Sequence, residues 1–160
     1  MNRIIATALV CVFSVSMAVA QDEPSPTAVL KEFTRSGNMD GVILSFVLLN
    51  DKTVDILFTA PGKYAIRASA NQATTFYVQG VPDKDVKLNT KFVVEQDGQT
   101  FNCSSVNIKN FDGGTVAKGQ RIDGIIQLDK KLNLSHPFTI KGQNSSLEFK
   151  LSEAALKEMQ

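Results

Sequence analysis

The sequence predicts an all-β protein: a single antiparallel β-sandwich, with a small closed β-barrel as the alternative and a short C-terminal helix. Three observations predict it. Apolar residues come in short runs rich in Val, Ile and Phe, broken by Asn, Asp, Gly and Pro, which is the rhythm of strands and turns. No repeat of fixed period and no low-complexity segment appears, so a solenoid or propeller is not expected. Helical spacing is visible only in the last nine residues.

The first twenty residues, MNRIIATALVCVFSVSMAVA, have a positive start at Arg3, an apolar core and a small-residue end at Ala18-Val19-Ala20. That is the pattern of a secretory signal peptide cleaved after Ala20, and its apolar run is shorter than the roughly 20 residues of a bilayer span. Cys11 is not expected to be an acylation site, because Ala8-Leu9-Val10 lacks the small residue needed just before it. Residues 21–27, beginning QDEPSP, read as an exposed lead-in, and residues 28–160 as one β domain. An exported protein, periplasmic or extracellular, follows.

Each element is justified in turn. Ala28 to Thr34 is expected as a strand with Val29, Lys31 and Phe33 on one side, turned by Gly37 to Gly41. Val42 to Leu49 is nearly continuous in apolar residues and should be buried on both faces. Asn50-Asp51-Lys52 then leads into Val54 to Thr59 as its hairpin partner. Pro61-Gly62 precedes a strand from Lys63 to Ala68, and Thr74 to Val81 follows with Phe76 and Val78 opposite Tyr77 and Gln79. Gly80 to Asp85 is the strongest internal break. Lys91 to Glu95 and Thr100 to Ile108 flank Asp97-Gly98, a tight hairpin signal because such turns need positive φ. Phe111 to Gly114 is a further turn, and Gly124 to Leu128, Phe138 to Ile140 and Leu147 to Leu151 complete the strands. Ser152 caps the terminal helix, which holds only if Leu156 and Met159 meet an apolar surface.

Within Val54 to Val81, the run Pro61-Gly62-Lys63-Tyr64-Ala65-Ile66 has the logic of a tyrosine corner, a turn into a strand whose Tyr hydroxyl folds back to the backbone. Here the chain resembles the secreted immunoglobulin-like and carboxypeptidase-regulatory-like modules of bacteria. The resemblance implies a sandwich that is immunoglobulin-like in the broad sense and an adhesive or spacer role. It carries over no catalytic residue.

Composition narrows the chemistry. Arg3 leaves with the leader, so the 17 Lys and Arg become 16 against 16 Asp and Glu, a balance with no nucleic-acid footprint. Lys130-Lys131, flanked by Asp129 and Asn133, reads as a solvated turn. Cys103 is the one cysteine of the mature chain, which excludes an intramolecular disulfide. Sharing a strand face with Phe101, it reads as a small buried hydrophobe, with a reactive thiol or an intermolecular disulfide as the alternatives. The single histidine, His136, precedes Pro137 in a loop, and no Gly-x-Ser-x-Gly elbow supplies a nucleophile. A Cys103 and His136 thiol site is the catalytic alternative. One Cys and one His supply zinc poorly. Asp83 and Asp85, with Asp97 and Asp112 at turns, are oxygen donors of the kind calcium takes, but Asp is also an ordinary turn former.

Asn102, Asn133 and Asn144 head Asn-x-Ser/Thr sequons, of which the last two lie in expected loops where a glycan is accommodated. With no Trp and two Tyr, an aromatic sugar platform is thinly provided, and phosphate-loop motifs are missing. Phe is plentiful, and Phe76, Phe92, Phe101, Phe111, Phe138 and Phe149, mostly at strand positions, are expected in the core, or else around an apolar ligand in a barrel mouth. These readings converge on a non-catalytic binding or structural module of the cell envelope. It would have a protein partner, no cofactor, no metal, no nucleic acid and no stable membrane span. A carrier of a small apolar ligand is the runner-up and a hydrolase the third reading.

Overall fold

The computed structural model describes residues 25–109 and 114–159. The leader, the first residues of the lead-in and Phe111 to Gly113 of the expected turn lie outside the described residues. The described residues are mostly β, at 40% strand and 24% helix. In order come α1 (Pro26–Glu32), β1 (Thr34–Met39), β2 (Val42–Leu48), α2 (Asp51–Leu57), α3 (Gly62–Gln72), β3 (Thr75–Gly80) and β4 (Val86–Lys87). They are followed by β5 (Val93–Gln96), β6 (Gln99–Ile108), β7 (Thr115–Val116), β8 (Ile122–Leu128), β9 (Phe138–Lys141), β10 (Ser146–Phe149) and α4 (Glu153–Glu158).

Three segments expected as strands are helices. Residues 28–32 belong to α1, started by Ser25, whose hydroxyl accepts the Ala28 N–H, and by Pro26 in the first turn, where a missing N–H costs nothing. Val54 begins the second turn of α2 rather than a hairpin strand. There Asn50 and Thr53 form a reciprocal capping box, each side chain accepting the other's backbone N–H at 2.9 Å. The run from Lys63 to Ala68 lies in α3, a helix helped by Ala65, Ala68 and Ala70. Tyr64, expected at a tyrosine corner, projects from α3 with 62% of its surface exposed. The resemblance that rested on that turn therefore loses its strand.

Strands β2, β3, β5, β6, β8, β9 and β10 answer to strands read from the sequence; β1 starts where a strand was expected to end, and β4 and β7 were not expected. Asp97 (φ 49°) and Gly98 (φ 76°) make the two-residue hairpin between β5 and β6. The first hairpin turns the same way at Asp40 (φ 53°) and Gly41 (φ 96°), so β1 continues through Gly37 to Met39, residues expected in the turn. Both faces of β2 are largely buried, but Ile43 is 66% exposed near its start. At the C-terminus, Ser152 caps α4 through the Ala155 N–H, Ala155 is fully buried, and Leu156 packs on the core.

Eight strands form one antiparallel sheet in the order β1-β2-β3-β8-β6-β5-β9-β10, curled so that β1 comes back beside β10, and the sheet is nearly closed into a barrel. β4 and β7 form a separate two-stranded ribbon. No backbone ladder joins β1 to β10. Side chains lace that seam instead: the Arg35 guanidinium donates to the Lys150 carbonyl and lies over the Phe149 ring, and the Ser152 hydroxyl meets the Glu32 carboxylate. The alternating pattern of β3 and β8 then makes two cores. Phe76, Val78 and Ile126 point inward, whereas Tyr77 and Ile125 point outward, where α2 and α3 cover them with Val54, Leu57, Phe58 and Ile66.

The inside is filled by aromatic rings. Phe138 and Phe149 stack with centroids 4.9 Å apart, Phe76 contacts both, and Phe46 stands edge-on to Phe76 and Phe92. Each of these five side chains is at most 2% exposed.

Candidate binding groove

A concavity of about 970 Å³ lies at one end of the curled sheet, where two turns and the segment after β4, distant in sequence, meet. The β1–β2 turn supplies Asn38, Asp40 and Gly41. The β9–β10 turn supplies Gln143 to Ser145, and Lys87 to Lys91 run along the third side.

Asp40 ties the first two turns together. Its Oδ2 accepts the Gln143 N–H at 2.8 Å, and its Oδ1 accepts the Asn144 N–H at 2.8 Å and the Ser145 hydroxyl at 2.9 Å. The Asp40 N–H in turn donates to Ser145 Oγ at 3.1 Å. This approach is possible because residue 142 is glycine: a Cβ there would lie 2.7 Å from Asp40 Oδ2 and 2.8 Å from Ser145 Oγ. Burial works to raise the Asp40 carboxyl. The hydrogen bonds from Asn144, Gln143 and Ser145 together overcome it and hold the group below its ordinary 3.8.

The third side is tied as firmly. Asn89 Oδ1 accepts the Lys91 N–H at 3.0 Å and Asn89 Nδ2 donates across the groove to Gln143 Oε1 at 3.2 Å. Asn38 Oδ1 accepts the Gly41 N–H at 2.9 Å. Leu88 is buried against the core beneath, and Lys87 and Lys91 are exposed on the rim. Neither lysine has a carboxylate within ion-pair distance among the described residues.

The residues singled out from sequence lie elsewhere, except Asn144. Cys103 is half-buried on β6 and packs against the inner core; burial, and then the Asp129 charge, push its thiol up to about 11. His136 Nδ1 sits 2.8 Å from Asp97 Oδ2 at the tip of the β5–β6 hairpin. The buried Gln96 side chain holds that loop through the Asn133 N–H and the Asn133 and His136 carbonyls. The structure does not bring Cys103 and His136 together, since about 13 Å of strand separates Gln99 at the hairpin end from Cys103.

Asp85 accepts the Lys118 N–H at 2.8 Å. Neither it nor Asp83 joins a group of three or more His, Cys, Asp or Glu able to hold a metal among the described residues, and Asp112 lies outside them. Lys130 and Lys131 are in the exposed loop after β8. Asn102 is exposed on β6, in a strand as expected. Asn133 is engaged by the Ser135 N–H and hydroxyl, whereas the Asn144 amide has no hydrogen bond among the described residues.

Sequence reasoning missed Lys87, Asn89, Lys91 and Gln143. The one available signal was the Asp40-Gly41 pair, the same tight-turn dipeptide as Asp97-Gly98. No helix among the described residues is long and apolar enough to cross a membrane. No protein family, curated protein or solved structure matches the chain.

Proposed function

We propose that the chain acts outside the cytoplasm as a non-catalytic binding module of the cell envelope or extracellular space, engaging its partner through the groove beside Asp40. The export pattern of residues 1–20 supports the location. We read the sheet as a small barrel rather than two packed layers, because β1 returns to β10 and side chains lace the seam. One observation carries the function: the barrel interior is occupied by Phe rings packed on one another, so recognition falls to the outside, where the groove offers a concavity of about 970 Å³. This favours the groove over an internal chamber for an apolar ligand. Cys103, held protonated at neutral pH on the core, and His136, tied to Asp97, support a non-catalytic reading over hydrolysis.

The test uses residues 21–160, immobilised and exposed to an extract of the native envelope, beside the variant Asn144→Trp. The Asn144 side chain is exposed and its backbone N–H still reaches Asp40, so the variant keeps the turn and places bulk across the groove. A component retained by the wild type and lost from Asn144→Trp is the expected result. Equal retention by both, or retention by neither, overturns the reading. So does an apolar dye that binds the wild type and is displaced by a fatty acid, because it would put the ligand inside.

A further inference from the structure

We infer that this groove takes an anionic, oxygen-rich ligand, a uronate- or sulfate-bearing oligosaccharide, because its tied turns leave hydrogen-bond donors and two unpaired lysines facing the opening. The inference rests on the groove being the binding surface, as proposed above.

It follows from where each polar atom is already engaged. A backbone N–H can only donate, so the Gly41 N–H fixes Asn38 with its oxygen inward and its Nδ2 free. The Lys91 N–H fixes Asn89 in the same way, which makes Asn89 Nδ2 the donor to Gln143 and turns Gln143 Nε2 outward. Both oxygens of Asp40, the one carboxylate lining the groove, are taken up by three donors from the opposite turn. What remains unsatisfied is the Asn38 and Gln143 amide hydrogens, the Asn144 amide, the Thr90 hydroxyl, and the ammonium groups of Lys87 and Lys91. Of these only Asn144 and Thr90 also offer an acceptor. A ligand that satisfies the set must present many acceptors and a negative charge.

Size and texture narrow the class. About 970 Å³ is at the upper end of ligand pockets, far more than one tetrahedral oxyanion fills. Leu88 is the one apolar side chain in the lining and is 4% exposed, so there is no subsite for an apolar anchor of the kind peptides use. The lining also has no aromatic ring, so a sugar here is held by hydrogen bonds and charge rather than by stacking. Affinity held in that way falls as salt screens the lysines.

The experiment titrates residues 21–160 with oligogalacturonate by calorimetry, with neutral oligogalactan of the same length, inorganic sulfate and oligoglutamate as the other probes. Saturable binding of oligogalacturonate is expected, with no binding of the neutral sugar. Affinity should weaken about tenfold between about 20 and about 300 mM salt. Charge reversal in the Lys87→Glu, Lys91→Glu double variant should weaken it at least about tenfold. Both lysines are exposed and unpaired, so an unchanged melting temperature confirms that this variant is folded.

Neutral and acidic sugars binding alike would overturn the anion selectivity. Oligoglutamate binding as tightly would overturn the saccharide, and sulfate competing at equal charge would reduce the site to one for simple anions. Unimpaired binding by the double variant would move the site elsewhere. If oligogalacturonate fails to bind while Asn144→Trp still releases an envelope component, the ligand class falls and the groove stands. If neither is seen, both fall.

Discussion

Asp40 is the residue on which the groove depends, and its protonation gives a direct measure of how much. Its native pKa lies below 3.8, so the carboxylate is favoured by the folded state. For a depressed carboxyl the stabilisation is complete above the unfolded value and disappears as pH falls through the native one. Asp40→Asn removes the charge at every pH and puts an amide nitrogen against a backbone donor. Wild type is expected to exceed Asp40→Asn by about 1 kcal/mol near neutrality, the modest scale of solvent-accessible hydrogen bonds. The gap should narrow below pH 3.8. Urea midpoints of both proteins across acid and neutral pH test this, and a gap constant with pH would show that the charge is not what holds the turns together.

At the scale of elements, two glycines of the sheet stand against neighbours of different kinds. Gly124 on β8 lies where β6 crosses close by: a Cβ there would stand 2.4 Å from the Asn107 carbonyl oxygen and 2.5 Å from Ile108 Cα. Gly37 on β1 faces the seam, and a Cβ there would meet the end of the Leu147 side chain at 2.9 Å. Backbone locked in a ladder cannot withdraw, whereas a leucine methyl can rotate aside. Gly124→Ala is therefore expected to cost about 1–3 kcal/mol and Gly37→Ala less than about 0.5 kcal/mol. Equal losses in chemical denaturation would mean that the seam is as rigid as the ladders.

The same distinction between elements explains what the sequence revealed. Strands β2, β3, β5, β6, β8, β9 and β10 were legible because their apolar runs are bounded by turn residues. Helices α1 and α2 were not, since seven residues make two turns, too short to separate a period of 3.6 from one of 2. Val54, Ile56 and Phe58 alternate as a strand would, yet Val54, Leu57 and Phe58 are the ones that meet the sheet. The overlooked signals were caps, Ser25-Pro26 and Asn50 with Thr53. The groove left only the Asp40-Gly41 turn signal, because its walls come from two turns and a loop far apart in the chain and are joined only when the sheet curls.

The whole molecule is organised by one sheet serving two cores. Adjacent residues on the same strands face opposite ways: Phe46 and Val47 on β2, Phe76 and Tyr77 on β3, Ile126 and Ile125 on β8. The helices α2 and α3 thus rest on strands whose other face is the Phe-filled interior, and neither layer can be lost without disturbing the other. Phe76, 1% exposed and touching the rings of Phe46, Phe138 and Phe149, is the place to test that coupling. Phe76→Ala is expected to cost about 3–5 kcal/mol, a large part of the stability of an ordinary domain. Its consequence should reach the outer layer. The variant's helical circular dichroism and the near-ultraviolet signal of the buried Tyr77 should be lost at one shared, lower midpoint, as the two signals of the wild type are at theirs. If the helical signal instead keeps the wild-type midpoint while the tyrosine signal moves, the helices are stable without the barrel and the two cores are independent.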